Sequence, residues 1–208
     1  MNLQDFITAR PFLYHLTSDN NYPLIIADRI LYSTNQLIHL SGNSSYQNIG
    51  TAKRFTHQEI FIGDQKYMIR DQQPVSEIAL SKCLTNGWTN SDFFHHLNDR
   101  VFMWPTLDRL RRHFKRYAAE NPVILRFDTR AILNANPHVK FCRLNSGATR
   151  PNSYLGGVAP ARGQESFLPA NLYQLPIGTI AEVTFEQQCN LIGNIWQSSE
   201  PEDVFQLV

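Results

Sequence analysis

The apolar segments of this 208-residue chain are short, and strand-like and helix-like segments alternate without a regular repeat. A doubly wound parallel sheet needs regular alternation of strands and helices, so this order excludes it. Branched and aromatic residues between turn residues predict strands at 12–16, 59–62, 66–69, 100–104, 123–127, 140–144 and 180–185. We therefore expect an α+β domain with a central, mostly antiparallel sheet and short flanking helices. No linker is visible, so residues 1–208 are expected to form a single domain.

Capping residues and apolar spacing predict where the main helices lie. Pro23 suits the first turn of a short helix that includes residues 24–28. Apolar residues at helical spacing predict the clearest helix over 107–119, behind an N-cap at Thr106. Residues 34–58 are polar and rich in asparagine and serine, so we predict a long loop there, either functional or mobile.

Composition and motifs exclude several classes of protein. The formal net charge of +1 creates no overall field that would attract nucleic acid or a membrane surface. The three cysteines lack CxxC spacing, which favours a reducing compartment and argues against a disulfide framework or a zinc knuckle. No apolar run approaches membrane-spanning length, so we expect a soluble cytoplasmic protein.

Common catalytic and metal-binding motifs are also missing from the sequence. It contains no GxGxxG, GxxxxGK[ST], HExxH or GxSxG pattern. His95 and His96 are adjacent, so their imidazoles point apart on a helix and do not form a metal site. We expect no metal cofactor.

One face of the helix over 107–119 carries Arg109, Arg112 and Arg116. Such a face is often simply solvated. It is also the arrangement that contacts the phosphates of a nucleic acid. The sequence leaves both interpretations open.

Three segments occur in an order that resembles a known fold. The first is LYHLT at 13–17, followed by a short helix and ILYS at 30–33. The second is RVFMW at 100–104, followed by a helix, and the third is IAEVTF at 180–185, followed by NLIGNI. This order resembles the ADP-ribosyltransferase fold, most closely the DarT-type toxins and a related bacterial family without an assigned function. NSGA at 145–148 and RGQESFLP at 162–169 look like signatures of that unassigned family.

The resemblance implies a reaction of NAD, the co-substrate. Cleavage of the nicotinamide–ribose bond passes through an oxocarbenium-like state, as glycoside hydrolysis does. A carboxylate near the developing positive charge stabilises that state and can deprotonate or orient the incoming nucleophile. Glu182 is the first candidate for this carboxylate, Glu165 is its rival, and Glu186 is a more distant third.

The resemblance also implies the NAD-binding residues. His15 would bond the adenine-side ribose, and the backbone of Leu16 would pair with the nicotinamide carboxamide. Phe102 or Trp104 would stack on the nicotinamide ring, a contact that contributes on the order of 1 kcal/mol. Arg54 would bind the pyrophosphate. The catalytic set is then Glu182, His15 and Glu165, and the cofactor-binding set is His15, Leu16, Thr17, Ser33, Arg54, Phe102 and Trp104.

Taken one at a time, these residues also have ordinary structural interpretations. His15 is compatible with a core histidine whose ring bonds the backbone. Glu182 alternates with Ala181 and Val183 and occupies the outward position of a half-exposed strand. Phe102 and Trp104 are compatible with the core, and Arg54 with a solvated loop.

The resemblance implies an NAD-dependent ADP-ribosyltransferase that modifies a nucleic-acid base, acting as a bacterial toxin or anti-phage defence effector with a possible antitoxin partner. Four alternatives stay open. They are a protein-modifying transferase, an NAD glycohydrolase, an inactive nucleotide-binding module of the same fold, and an RNA 2′-phosphotransferase. The last would need more basic residues in its cleft than the sequence identifies.

Overall fold

The computed structural model describes residues 1–151 and 155–208. Its strands are β1 (Phe12–Thr17), β2 (Ile30–Tyr32), β3 (Gln58–Ile62), β4 (Gln65–Ile69), β5 (Arg100–Met103), β6 (Val123–Asp128), β7 (Lys140–Cys142), β8 (Glu182–Glu186), β9 (Gln188–Asn190), β10 (Ile195–Ser198) and β11 (Gln206–Leu207). Its α-helices are α1 (Leu3–Ala9), α2 (Tyr22–Asp28), α3 (Thr34–Ser41), α4 (Gln47–Thr51), α5 (Glu77–Ser81), α6 (Asn90–Asn98), α7 (Leu107–Tyr117) and α8 (Thr129–Ala135). None of the helices in the described ranges is long and apolar enough to cross a membrane.

Two antiparallel sheets form the centre of the molecule. One has the order β1-β6-β10-β11 and the other the order β5-β8-β7. They meet at a single pair, where the Tyr14 N–H donates to the Trp104 carbonyl at 2.9 Å and the Trp104 N–H donates back at 2.8 Å. Within the described residues no further bridge joins β1 to β5, which shows that the two strands diverge beyond this pair. The centre of the fold is therefore a split sheet.

Two smaller antiparallel pairs complete the strands, β2 with β9 and β3 with β4. The β3–β4 hairpin turns at Gly63, whose φ of +56° suits glycine. Each pairing between named strands is antiparallel. This confirms the prediction of an α+β protein with mostly antiparallel sheets and short helices.

The main core joins the two sheets, and a second cluster attaches α7. Leu13, Phe127 and Val183 are fully buried in the main core. On the other face of β1, Leu110 and Phe114 of α7 are buried with Leu16, Ile124 and Trp104. Burial of each such side chain contributes about 1.5–3 kcal/mol, and this packing holds α7 beside the split.

The prediction of a long loop over residues 34–58 was wrong, because α3 and α4 lie there. The Ser33 hydroxyl caps α3 by accepting a hydrogen bond from the Gln36 N–H at 3.1 Å. Leu37 and Ile38 are buried, and Gly42 ends the helix at a φ of +63°. Caps and two apolar anchors therefore outweigh the polar composition.

The interpretation of Glu182, taken alone, as the outward residue of a half-exposed strand was also wrong. β8 is the central strand of its sheet, and its first four residues are all buried. A strand covered on both faces does not show the alternation of exposure from which the outward position was inferred. Glu182 is only 5% exposed.

Candidate functional site

A cleft of about 600 Å³ opens where the two sheets diverge. Volumes of 300–1,000 Å³ are typical of ligand sites. The cleft is lined by the end of β1, β5, the first residue of β8, α7, the strand β4 and the loop 145–148. Most of the predicted site residues meet here: His15, Leu16, Thr17, Arg54, Phe102, Trp104 and Glu182.

His15 has a defined tautomer. Its Nδ1 lies 2.8 Å from the Phe102 carbonyl oxygen, so Nδ1 carries the proton and donates. Burial lowers the pKa of His15 to about 4, although the backbone hydrogen bond to Phe102 by itself raises that pKa. The ring is therefore neutral near pH 7, and Nε2 is available as a hydrogen-bond acceptor at the cleft.

The backbone at the end of β1 faces the cleft. Tyr14 directs both its N–H and its carbonyl towards Trp104. Along a strand, the side to which the N–H and the carbonyl point repeats every second residue. The N–H and carbonyl of Leu16 therefore point to the same side as those of Tyr14. The Leu16 carbonyl accepts from Arg70 Nη1 at 3.2 Å, and the Thr17 carbonyl accepts from Nη2 at 3.1 Å. The Leu16 N–H is thus the backbone donor that this strand presents beside the split.

Glu182 is a buried acid held by one backbone donor. Its Oε2 accepts a hydrogen bond from the Ser146 N–H at 2.9 Å. Burial raises the pKa of Glu182 to about 7, while the Ser146 hydrogen bonds and the charges of Arg162 and Arg109 lower it. A carboxyl group with this pKa exchanges its proton near neutral pH, as a general acid or base requires.

The two candidate aromatic residues differ in what they can contact. The Trp104 ring is buried and faces the His113 ring, with centroids 4.6 Å apart at 30°. Phe102 is half-buried, and its ring meets Phe167 edge-on at 6.0 Å. Phe102 therefore has the more accessible ring.

Arg54 lines the cleft, and its Nε and Nη1 donors are already used within the protein. It donates to the carbonyls of Arg70 and Ile49 at 2.9 and 2.7 Å, and to Asn98 Oδ1 at 2.9 Å. It is buried, and burial lowers its pKa to about 10, so the alternative of a solvated loop arginine does not describe it. These bonds join the segment before β3 to α6.

Helix α7 contributes other cations to the cleft. Arg112 and Arg116 line it together with His113 and Tyr117, so this face is not simply an outer surface. Arg116 donates to Asp71 at 2.6 Å. Arg112 is exposed and forms no ion pair with any of the described residues.

Three of the candidates lie outside the cleft lining. Ser33 is buried and caps α3. Glu165 is exposed on the 3₁₀ turn Gln164–Ser166. Glu186 pairs with Arg100 at 2.8 Å and with Lys140 at 2.6 Å.

Arg70 and the role of Ser146 were not predicted from the sequence. Arg70 ends a predicted hairpin and carries no motif, so no local pattern indicates that it bonds the end of β1. NSGA was noted as a family signature, but its contact with Glu182 spans 36 positions and depends on the tertiary fold. A group of three or more His, Cys, Asp or Glu side chains able to hold a metal is absent from residues 1–151 and 155–208.

Fold and site together define an α+β protein with a ligand-sized cleft at the split between two antiparallel sheets. The chain belongs to a family of unknown function, DUF7002, which it matches over residues 11–195. No curated protein and no solved structure matches it significantly.

Proposed function

We propose that this protein is an NAD-dependent ADP-ribosyltransferase with an ADP-ribosyltransferase-like arrangement of its split sheet. The proposal depends on one observation: His15, Leu16, Phe102 and Glu182 line the same cleft. They come from three strands far apart in the chain, and each offers the chemical group that a different part of NAD would need.

The ground-state contacts follow from the geometry of β1 and β5. His15 Nε2, an acceptor in the neutral ring, would accept a hydrogen bond from a ribose hydroxyl of NAD. The Leu16 N–H would donate to the carboxamide oxygen of nicotinamide. Phe102, the more accessible ring, would stack on the pyridinium. Arg54 would bind the pyrophosphate through Nη2, because the described residues accept hydrogen bonds from its guanidinium group only through Nε and Nη1.

Glu182 would act on the reacting ribose. The bond between ribose C1′ and the nicotinamide nitrogen breaks, and nicotinamide leaves with the electron pair. The Glu182 carboxylate stabilises the resulting oxocarbenium ion. A nucleophile on the acceptor then bonds to C1′ and gives its proton to Glu182. If the nucleophile is water, the same steps hydrolyse NAD.

The acceptor is proposed to be a nucleic-acid base. Arg112 and Arg116 at the cleft would hold acceptor phosphates, since surface arginines neutralise nucleic-acid backbones. A role as a cytoplasmic bacterial toxin or anti-phage effector, with an antitoxin protein as partner, completes the proposal. A protein acceptor is the alternative that a labelled-acceptor assay would detect.

One observation favours a second candidate, an RNA 2′-phosphotransferase. The sequence identified too few basic residues for it, but five arginines line the cleft: Arg54, Arg70, Arg100, Arg112 and Arg116. That enzyme would consume NAD only in the presence of an RNA that carries a 2′-phosphate. This alternative gives the buried carboxyl of Glu182 no role. For that reason we rank the phosphotransferase second.

Incubation with NAD tests the proposal. We expect nicotinamide release, measured by chromatography, and we expect Glu182→Gln to reduce it by about 100–1,000-fold, the usual scale for one charge-stabilising group. NAD affinity should change little, because the ground state carries less charge at C1′ than the transition state.

Glu165→Gln is the matched control, because Glu165 is exposed and outside the cleft lining. It should leave the rate unchanged. Loss of nicotinamide release in this variant, with full activity in Glu182→Gln, would overturn the assignment of the catalytic carboxylate.

A further inference from the structure

A buried arginine holds the loop that contacts Glu182. The loop, residues 145–148, forms one wall of the cleft. Arg162 lies behind it with only 3% of its surface exposed. Its Nε donates to the Ala148 carbonyl at 2.8 Å, and its Nη2 donates to the Asn145 carbonyl at 2.9 Å. One guanidinium group therefore bonds both ends of the loop.

Arg162 is itself anchored from the opposite side. Its N–H donates to the Cys83 carbonyl at 2.8 Å, and its carbonyl accepts from the Thr85 N–H at 2.9 Å and from the Thr85 hydroxyl at 3.1 Å. The arginine thus transmits the position of residues 83–85 to the cleft wall. A lysine could not replace it, because one ammonium group does not reproduce the planar fork.

We infer that Arg162 is a positioning residue: it fixes the loop 145–148 so that the Ser146 N–H meets the Glu182 carboxylate. The effect of Arg162 on catalysis rests on the proposed function, whereas its effect on the titration of the Glu182 carboxyl group does not. The charged and titratable groups around Glu182 are Arg162, Arg109 on α7 and the thiol of Cys142 on β7. Burial raises the Cys142 pKa to about 11, so this thiol stays neutral near pH 7.

The test is a ¹³C NMR titration of glutamate carboxyl groups in the full chain, with the Glu182 signal assigned from its absence in Glu182→Gln. In Arg162→Gln the loop loses both bonds and Glu182 loses a nearby positive charge. We expect its pKa to rise by about one unit, the lower end of the effect of an adjacent opposite charge. Arg162→Lys keeps the charge, loses the fork and should give a smaller rise.

Arg29→Gln is the matched control. Arg29 also bonds two carbonyls of one loop, those of Leu191 and Gly193, but it does not line the cleft. This variant should leave the Glu182 titration unchanged. Thermal unfolding of each variant identifies the folded ones, and Arg162→Lys keeps the test decisive if Arg162→Gln does not fold.

Nicotinamide release gives the second readout. In Arg162→Lys, kcat should fall about 10-fold with KM for NAD unchanged, because Arg162 orients the carboxylate through the loop and does not bind substrate. The acid limb of the rate profile should move to higher pH with the carboxyl pKa. An unchanged Glu182 titration in whichever of Arg162→Lys and Arg162→Gln folds would overturn the inference. Absence of nicotinamide release in the wild type would overturn only the proposed function.

Discussion

At the scale of single residues, Phe102 and Trp104 show how two similar side chains on one strand acquire different uses. They are two positions apart and therefore lie on the same face of the strand segment. Trp104 is covered by His113 and belongs to the cluster under α7. Phe102 keeps a partly exposed ring at the cleft, and its carbonyl sets the tautomer of His15.

We therefore expect Phe102→Leu to weaken NAD binding by about 5-fold, which corresponds to the loss of roughly 1 kcal/mol of ring stacking. Isothermal titration calorimetry measures this affinity. Phe12→Leu is the control, because Phe12 is also half-buried but packs on Trp196 and Arg126 away from the cleft. Equal affinities of wild type and Phe102→Leu would remove Phe102 from the binding site.

At the scale of elements, α7 combines a packing role with a charged edge. Leu110, Phe114 and Tyr117 attach it to the split sheet, and this packing turns Arg112 towards the cleft. Arg112→Glu should weaken use of a nucleic-acid acceptor most at low salt, because released counterions supply that affinity.

The slope of log activity against log salt should become shallower by about one for each phosphate that the variant no longer neutralises. Lys115→Glu is the control for this measurement. Lys115 is exposed on the same helix but does not line the cleft. Equal losses of activity in both variants, or a loss independent of salt, would show that this face of α7 is a solvated surface that does not contact a nucleic acid.

Helix α3 gives the element-scale test of Ser33. Because the Ser33 hydroxyl caps this helix, Ser33→Ala should lower the free energy of unfolding by about 1 kcal/mol. NAD affinity should not change. Denaturant unfolding and calorimetry measure the two quantities, and Ser33→Thr should restore the cap. Loss of NAD affinity without loss of stability would instead support the cofactor-binding role implied by the resemblance.

At the scale of the whole molecule, the split between the sheets buries an acid in the folded state. Burial raises the pKa of Glu182 from 4.5 to about 7, so the folded state holds this proton more tightly than the unfolded state does. The contribution of this tighter proton binding to the free energy of unfolding is therefore fully present below pH 4.5 and is lost as pH rises through about 7.

Comparison of wild type with Glu182→Gln isolates this effect, since glutamine does not titrate. Between pH 4.5 and pH 8, the stability of the wild type should fall relative to the variant by on the order of 3 kcal/mol. Urea unfolding at a series of pH values measures the difference. A difference that is constant across this range would show that Glu182 titrates normally in the folded protein.

The sequence by itself determined the local elements. Thr106 and the apolar stripe behind it located α7, the turn at Gly63 located the β3–β4 hairpin, and branched residues located β6. These features depend on caps, turns and periodicity within a few residues, which a linear pattern records directly. The sequence also singled out His15, Phe102 and Glu182, which line one cleft.

Only the tertiary structure decided how those residues are surrounded. Glu182 is buried because β8 became the central strand of its sheet, and strand order depends on pairings between distant segments. Arg54 and Ser33 acquired structural roles because their hydrogen-bond partners were assembled around them. Arg70 reached the site from a segment without a motif, and nothing within RGQESFLP indicated that Arg162 bonds the loop 145–148. Burial and hydrogen bonding, which set pKa and availability, are properties of contacts across the chain, and so they cannot be read from residue order alone.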